Sequence, residues 1–257
     1  MNNLIKAVKE ENILKVKELL NTKIDINIKD NDSWTPLIHA IHKHNLEIVR
    51  LLVDYGANID VQDELGWTPL ITSIVRNDIN IFKLLINRGA NIHIKDIDGN
   101  TALMYAASEG NIDMIKMLIQ AGADINTQDR YGWTALMKVI YHNHLNAAKL
   151  LIDSGIDINM KDKMREDTAL IHAVSESNSK AIKILVDAGA NILIKNKYGE
   201  TAIDIAIKNA KFNKLLNKDI YYKKCINIIN YLATALKKQY DRAINNTIIK
   251  SLDDLTL

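Results

Sequence analysis

Apolar positions along this chain come in short runs at helical spacing, paired and separated by polar turns. The stretch Asp96 to Asn126 shows the unit most clearly. An apolar run follows Thr101 and predicts a first helix of about nine residues. The turn Glu109-Gly110-Asn111 breaks it. Ile112, Ile115, Leu118 and Ile119 then recur at the spacing of one helix face and predict a second, antiparallel helix ending at Gly122. Ala123 to Asp129 reads as extended chain leading into a turn at Tyr131-Gly132.

The unit repeats. The Thr that opens its first helix recurs as Thr35, Thr68, Thr101, Thr134, Thr168 and Thr201, a period of 33 residues with one step of 34. A fixed period of this length predicts a solenoid. Each Thr hydroxyl can accept from a free N–H of the first helical turn, and Pro36 and Pro69 suit the first helical position, where no N–H is required. Gly56, Gly89, Gly122, Gly155 and Gly189 stand where a helix ends in a left-handed residue. Helices this short bury too little apolar surface alone to offset their ordering entropy, so each unit needs its neighbours.

Gly-Trp-Thr-Pro-Leu at Gly66 to Leu70, the Asn-x-x-Ile-x-x-Leu-Leu rhythm at Asn45 to Leu52, and Gly-Ala-Asn-Ile-Asp at Gly56 to Asp60 resemble the ankyrin repeat. The match runs in register over about residues 2 to 207 and less regularly to about 240. The resemblance implies an all-α repeat solenoid: a curved stack of about seven helix-turn-helix repeats, with β-hairpin fingers projecting at one edge. One departure is consistent. Where the family has Thr-Pro-Leu-His, this chain has Ile38, Ile71, Met104, Met137 and Ile171 at the His position, a departure that bears on the family's usual His hydrogen bonds between repeats and not on the stacking.

Variation along the chain divides it further. Residues 2–33 lack the opening Thr and carry Lys23-Ile24 where other copies have Gly-Ala; with Lys6, Lys9, Glu10 and Lys17 on its exposed side, this repeat is expected to cap the stack. Residues 34–200 are expected to form the inner repeats. The sixth finger, Asp162 to Thr168, is one residue longer and lacks both Gly and Trp, so it must be reshaped. In the seventh unit, residues 210 to 220 are read as an expanded turn before a helix from Cys225 to about Ala243. Residues 201–243 then form an irregular C-terminal cap and 244–257 a tail that frays, the whole of 2–243 being one domain.

Composition fits this picture. The chain of 257 residues is 47% hydrophobic and only 5% aromatic, so Ile, Leu and Ala carry the packing. No apolar stretch approaches the roughly 20 residues that span a bilayer. Charges interrupt Met1 to Lys15, so it reads as a helix and not a signal peptide. The lone cysteine, Cys225, cannot form an intramolecular disulfide. A cytoplasmic monomer is expected. High Asn, Ile and Lys content is associated with AT-rich genomes of intracellular bacteria and large viruses, where ankyrin-like proteins often engage host factors, so delivery into a host cell is the second compartment considered.

The resemblance also implies a binding surface made of finger tips and first-helix ends. Carried over residue by residue it comprises Asn31, Asp32, Trp34, His42 and Lys43; Glu64, Leu65, Trp67, Val75 and Arg76; Ile97, Asp98, Asn100, Ser108 and Glu109; and Arg130, Tyr131, Trp133, Tyr141 and His142. Met164 and Arg165 of the long finger join it as a partner-specific contact. The three tryptophans have two readings, packing across the next finger or touching a partner. Tyr131, Tyr141, Leu65 and Ile97 are the sharper contact candidates, because no repeat pattern asks for bulky apolar groups there.

Catalytic chemistry is sparse. His42-Lys43-His44 and His142-Asn143-His144 have a spacing that can supply two metal ligands, but three repeats separate them and neither has Cys or carboxylates completing a set. No phosphate-binding glycine loop, nucleophile elbow or metalloprotease helix is present, so no metal, cofactor or catalysis is expected. Residues 208 to 250 hold ten Lys or Arg against Asp219 and Asp241, a balance of +8; the chain is +2 overall, which leaves −6 elsewhere. Two functions follow: a scaffold binding a protein partner on its concave surface, or an adaptor docking nucleic acid or an anionic membrane through Lys223, Lys224, Lys237 and Lys238.

Overall fold

The computed structural model describes residues 3–216 and 218–253, with side chains to residue 241. Its contacts group the chain into two compact units, one ending at Ile156 and the other beginning at Asp157. The first holds five helix pairs: α1 (Asn3–Lys9) with α2 (Ile13–Leu20), α3 (Pro36–His42) with α4 (Leu46–Asp54), α5 (Pro69–Val75) with α6 (Ile79–Asn87), α7 (Ala102–Ser108) with α8 (Ile112–Gln120), and α9 (Ala135–Tyr141) with α10 (Leu145–Asp153). Within it each first helix packs on the next, α1 on α3, α3 on α5, α5 on α7 and α7 on α9. The second unit pairs α11 (Ala169–Ser175) with α12 (Ser179–Asp187) and α13 (Ala202–Leu215) with α14 (Asp219–Asp253).

In most repeats both helices start on a side-chain cap, although α10, which begins after His144, has no such bond. The Thr35, Thr68, Thr101, Thr134 and Thr168 hydroxyls each accept from the backbone N–H three residues on, at 3.2 to 3.4 Å. Asn12, Asn45, Asp78, Asn111 and Asn178 do the same for second helices. First helices are nearly all apolar and deeply buried, as in Leu37, Ile38, Ala40 and Ile41, while second helices bury one stripe, such as Ile48, Val49 and Leu52. At seven residues, the first helices of these repeats are shorter than the expected nine.

Further features differ from the sequence reading. The fingers are not β-hairpins with ladders: among the described residues there is no strand, and one isolated antiparallel bridge joins Lys161 and Thr168. The expanded turn at 210 to 220 is largely absent, because α13 continues to Leu215. No Gly or Asn-led turn interrupts Lys208 to Leu215, and the buried Ala210 keeps the helix packed. Finally α14 runs to Asp253, past the expected end near Ala243; Asp254 lies outside the described residues. In the first repeat Lys6, Glu10 and Lys17 are exposed as expected, but Lys9 turns inward to the Asp30 carboxylate at 3.4 Å.

Neighbouring fingers approach until their backbones meet. The Ile97 N–H donates to the Leu65 carbonyl at 3.2 Å, which leaves no room for a side chain at Gly66: a Cβ there would lie 2.9 Å from Asp96 Cα and from Ile97 N. Gly66 also has φ +76°. Gly56, at a helix end, has φ +88° but open space around it. The pair separates backbone strain from steric conflict. Gly56→Ala is expected to cost about 1 kcal/mol and Gly66→Ala about 3 kcal/mol in urea unfolding, because overpacking adds to left-handed strain. Equal losses would show that the fingers can move apart freely.

Candidate functional site

Some donors of a finger meet backbone carbonyls, as Ile97 meets Leu65, and a side chain must supply the acceptor for the rest. In each one the first residue does. One oxygen of Asp63 accepts from the Leu65 and Trp67 N–H groups at 3.0 and 2.8 Å. Asp30 does so for Asp32 and Trp34, Asp96 for Asp98 and Asn100, and Asp129 for Tyr131 and Trp133. In four fingers the other oxygen grips the first helix behind: Asp30 with His39 Nε2 at 2.7 Å, Asp96 with the Tyr105 hydroxyl at 2.5 Å, Asp129 with Lys138 Nζ at 2.9 Å, and Asp162 with His172 Nε2 at 2.9 Å.

The electrostatics follow the geometry. Burial pushes the Asp30 carboxyl up, but hydrogen bonds from His39 and Trp34 outweigh it and hold it below the usual carboxylate range. Burial also holds His39 below its ordinary value, so at neutral pH it is a neutral donor to an ionised Asp30. Tyr105 is pushed well up, by burial first and then by its bond to Asp96. Asp129 is buried with its charge matched by Lys138, whose ammonium also lies 5.5 Å from the Trp133 ring centre.

On this frame several of the predicted contact residues of the first unit lie on adjoining fingers. Leu65 and Ile97 sit side by side through the hydrogen bond between their backbones and are 51% and 61% exposed. Asp98 and Arg130 continue the row, with the Arg130 N–H on the Asp98 carbonyl at 2.8 Å and their side chains ion-paired at 2.7 Å. The Arg130 guanidinium also covers the Tyr131 ring at 4.6 Å and bonds its hydroxyl, leaving Tyr131 39% exposed. Asn100 donates to Asp96 and braces its finger; Glu109 is the exposed C-cap of α7.

Each Trp is half-buried, with one side against an aromatic ring of a first helix. Trp34 stacks on His42 at 4.0 Å, Trp67 meets Tyr105 edge-on at 5.4 Å, and Trp133 meets Tyr141 edge-on at 5.4 Å. Arg76 bonds His42 Nδ1, and exposed His142 lies edge-on to Tyr141. The two His-x-His pairs are thus engaged separately: His44 bonds Asp78 at 3.1 Å, and His144 bonds the Ser108 carbonyl at 2.9 Å while its ring covers Gly110.

In the second unit the long finger absorbs its extra residue locally. Asp162 Oδ1 accepts from Met164 and Arg165, one position earlier than elsewhere, and Glu166 takes a left-handed φ of +55° in place of Gly. Met164 is exposed, and Arg165 pairs with Asp167 at 3.1 Å. Asp162, Asp167 and His172 offer ligand-type atoms within 4.8 Å of one another. Their atoms are already engaged, with Asp162 on His172 and Asp167 on Arg165 and on the Asn196 amide at 2.9 Å, which describes a hydrogen-bonded latch. Two residues escaped the sequence reading. Exposed Tyr198 occupies the finger position of Leu65 and Tyr131, which register alone would have revealed; Tyr105 looks like an ordinary helix residue until its finger is placed above it.

A family model described as ankyrin repeats matches in three copies, over residues 4–96, 75–162 and 158–232. Among solved structures, the ankyrin repeat domain of Bcl-3, described as a unique member of the IkappaB protein family, is similar at 26% identity and TM-score 0.74, over 80% of this chain and 93% of that one. A human ASB11 ankyrin repeat domain shares the fold at 21% identity and TM-score 0.70, over 80% of this chain and 91% of that one. An ankyrin repeat domain from Acinetobacter baumannii AYE is similar at 28% identity and TM-score 0.68, over 73% of this chain and 98% of that one. No curated protein sequence matches.

The Trp34–His42 stack can be tested through pH. Burial first, then the Arg76 guanidinium and the neighbouring His39 and His44, bring His42 down to about 4 from 6.5. The folded state therefore binds this proton less readily than the unfolded chain, and its stability contribution, complete above pH 6.5, is lost as pH falls towards 4. His42→Phe should gain thermal stability relative to wild type across that window and hold a constant difference below it. Parallel profiles from pH 7 to 4 would mean that His42 titrates normally.

Proposed function

Because this chain belongs to the ankyrin-repeat family, whose domains are generally protein–protein interaction modules, we propose that it binds a partner protein on the finger and first-helix surface of the first unit. The observation that carries this reading is the exposed apolar row Leu65, Ile97 and Tyr131, flanked by Tyr141, on fingers held by the carboxylates of Asp63, Asp96 and Asp129. Bulky apolar side chains there support no core, and a partner would remove them from water. Pre-formed fingers keep the ordering cost of binding low. The Asp98–Arg130 pair within the row supplies direction, since a partner must match or replace it.

The half-buried tryptophans support an intermediate role: each is backed by a ring and offers its remaining surface beside the row. Trp67 and Trp133 flank the centre of the proposed interface, while Trp34, His42 and Arg76 form its edge. Glu109 and His142 rim it at the helix ends. Met164 and Arg165 are proposed as a separate contact of the second unit. The module acts by binding and carries out no chemistry of its own.

Affinity capture from cell lysates, followed by mass spectrometry, tests this with wild type, Leu65→Arg with Ile97→Arg, and Tyr131→Arg with Tyr141→Arg. These positions are exposed, so circular dichroism should report unchanged folding. A partner retained by wild type should be weakened about tenfold or more by either pair, as expected for loss of hot-spot residues. Retention of every partner by both variants would contradict the proposed surface.

A further inference from the structure

The turn that joins α13 to α14 carries a surface that repeat stacking does not require. Phe212, Leu215, Leu216, Ile220 and Tyr221 lie within ten residues and are all exposed, Leu215 at 79% and Ile220 at 82%. Five lysines, Lys211, Lys214, Lys218, Lys223 and Lys224, are exposed around them, against the single carboxylate Asp219. The hairpin beneath is firm: Ala210, Cys225, Ile228 and Leu232 are buried, and Asn213 reaches the Cys225 sulfur at 3.8 Å. The apolar groups are therefore displayed at the end of a packed pair of helices.

We infer that this hairpin tip docks on an anionic lipid bilayer, with Phe212, Leu215, Leu216, Ile220 and Tyr221 entering the interface and the surrounding lysines meeting the headgroups. Apolar side chains at a projecting end fit a surface that accepts insertion. Lysines at their edge can lay their aliphatic stems over the apolar boundary and place their ammonium groups among phosphates. A second copy of the chain fits poorly, because five like charges would face five more. Nucleic acid would match the charge but leaves the aliphatic Leu215 and Ile220 without a role. No described helix is long and apolar enough to cross a membrane, so the association is with the surface.

The structure also narrows which lysines matter. Lys237 lies 13 residues along α14 from Lys224, about 20 Å at the helical rise, which is beyond the reach of a screened charge at the tip. Of the four lysines singled out from sequence, only Lys223 and Lys224 belong to the docking surface.

Sedimentation of the full chain with vesicles of phosphatidylcholine, with and without phosphatidylserine, tests the proposal. The variants are Leu215→Gln with Ile220→Gln; Lys214→Gln, Lys218→Gln and Lys223→Gln together; and Lys237→Gln with Lys238→Gln. Wild type should bind only the vesicles containing phosphatidylserine, and less at high salt. The first two variants should lose about tenfold or more in affinity, while the third should bind as wild type does. All are at exposed sites, and circular dichroism and thermal unfolding check their folding. The proposal is overturned if wild type ignores anionic vesicles at low salt, or if the Leu215 and Ile220 changes leave binding intact. Equal loss in the Lys237 and Lys238 variant would overturn it too, as would binding to a duplex oligonucleotide in place of vesicles.

Discussion

The fingers stand on one divided acceptor. A carboxylate at the start of five of the six fingers gives one oxygen to backbone donors in the turn, and in four of them the other oxygen holds the first helix behind. The N–H groups of Trp34, Trp67, Asn100 and Trp133 are part-buried, and leaving a desolvated donor unmet costs on the order of 1 to 3 kcal/mol. The arrangement therefore makes the finger an extension of the helical layer. The last finger makes the same point differently: Asn196 replaces the Asp, keeps the two backbone acceptances by its amide oxygen, and turns its amide nitrogen to buried Asp167. An Asp there would set two carboxylates against each other.

That constraint connects fold to function. Recognition by short loops is ordinarily weakened by the entropy of ordering them, but these tips are ordered before any partner arrives. Leu65, Ile97 and Tyr131 can then act as anchors, each being partly open to water in the free protein. The two proposed surfaces differ in kind. The fingers present a mixed row with an internal ion pair, suited to one protein; the α13–α14 tip presents apolar groups inside a ring of one charge, suited to a bilayer.

Much of this was legible in the residues. The Thr period, the positions of Gly56 to Gly189 and the second-helix stripes fix the repeats because each reports a local backbone need, a cap, a left-handed residue or a buried face. The exposed groups Leu65, Ile97, Tyr131 and Tyr141 stood out because nothing in the repeat calls for them. The latch was harder to read. Its Asp recurs in register, but its partners are His39, Tyr105, Lys138 and His172, different residue types that no pattern search would align. The length of α13 was misread because the rhythm of earlier repeats places a turn there, while the actual residues contain nothing to stop a helix. The lysines near the tip were visible as a charge excess; their apolar centre was not, since Leu215 and Ile220 look like core positions until α13 is extended.

Amide hydrogen exchange on the fingers tests the central claim most directly. If the finger carboxylates hold the tips, the N–H groups of Trp67, Asn100 and Trp133 should exchange slowly, with protection approaching that of the first helices. In Asp129→Ala, Tyr131 and Trp133 should lose protection while Trp67 retains it. Fast exchange of these amides in wild type, at the rate of an open loop, would contradict the account.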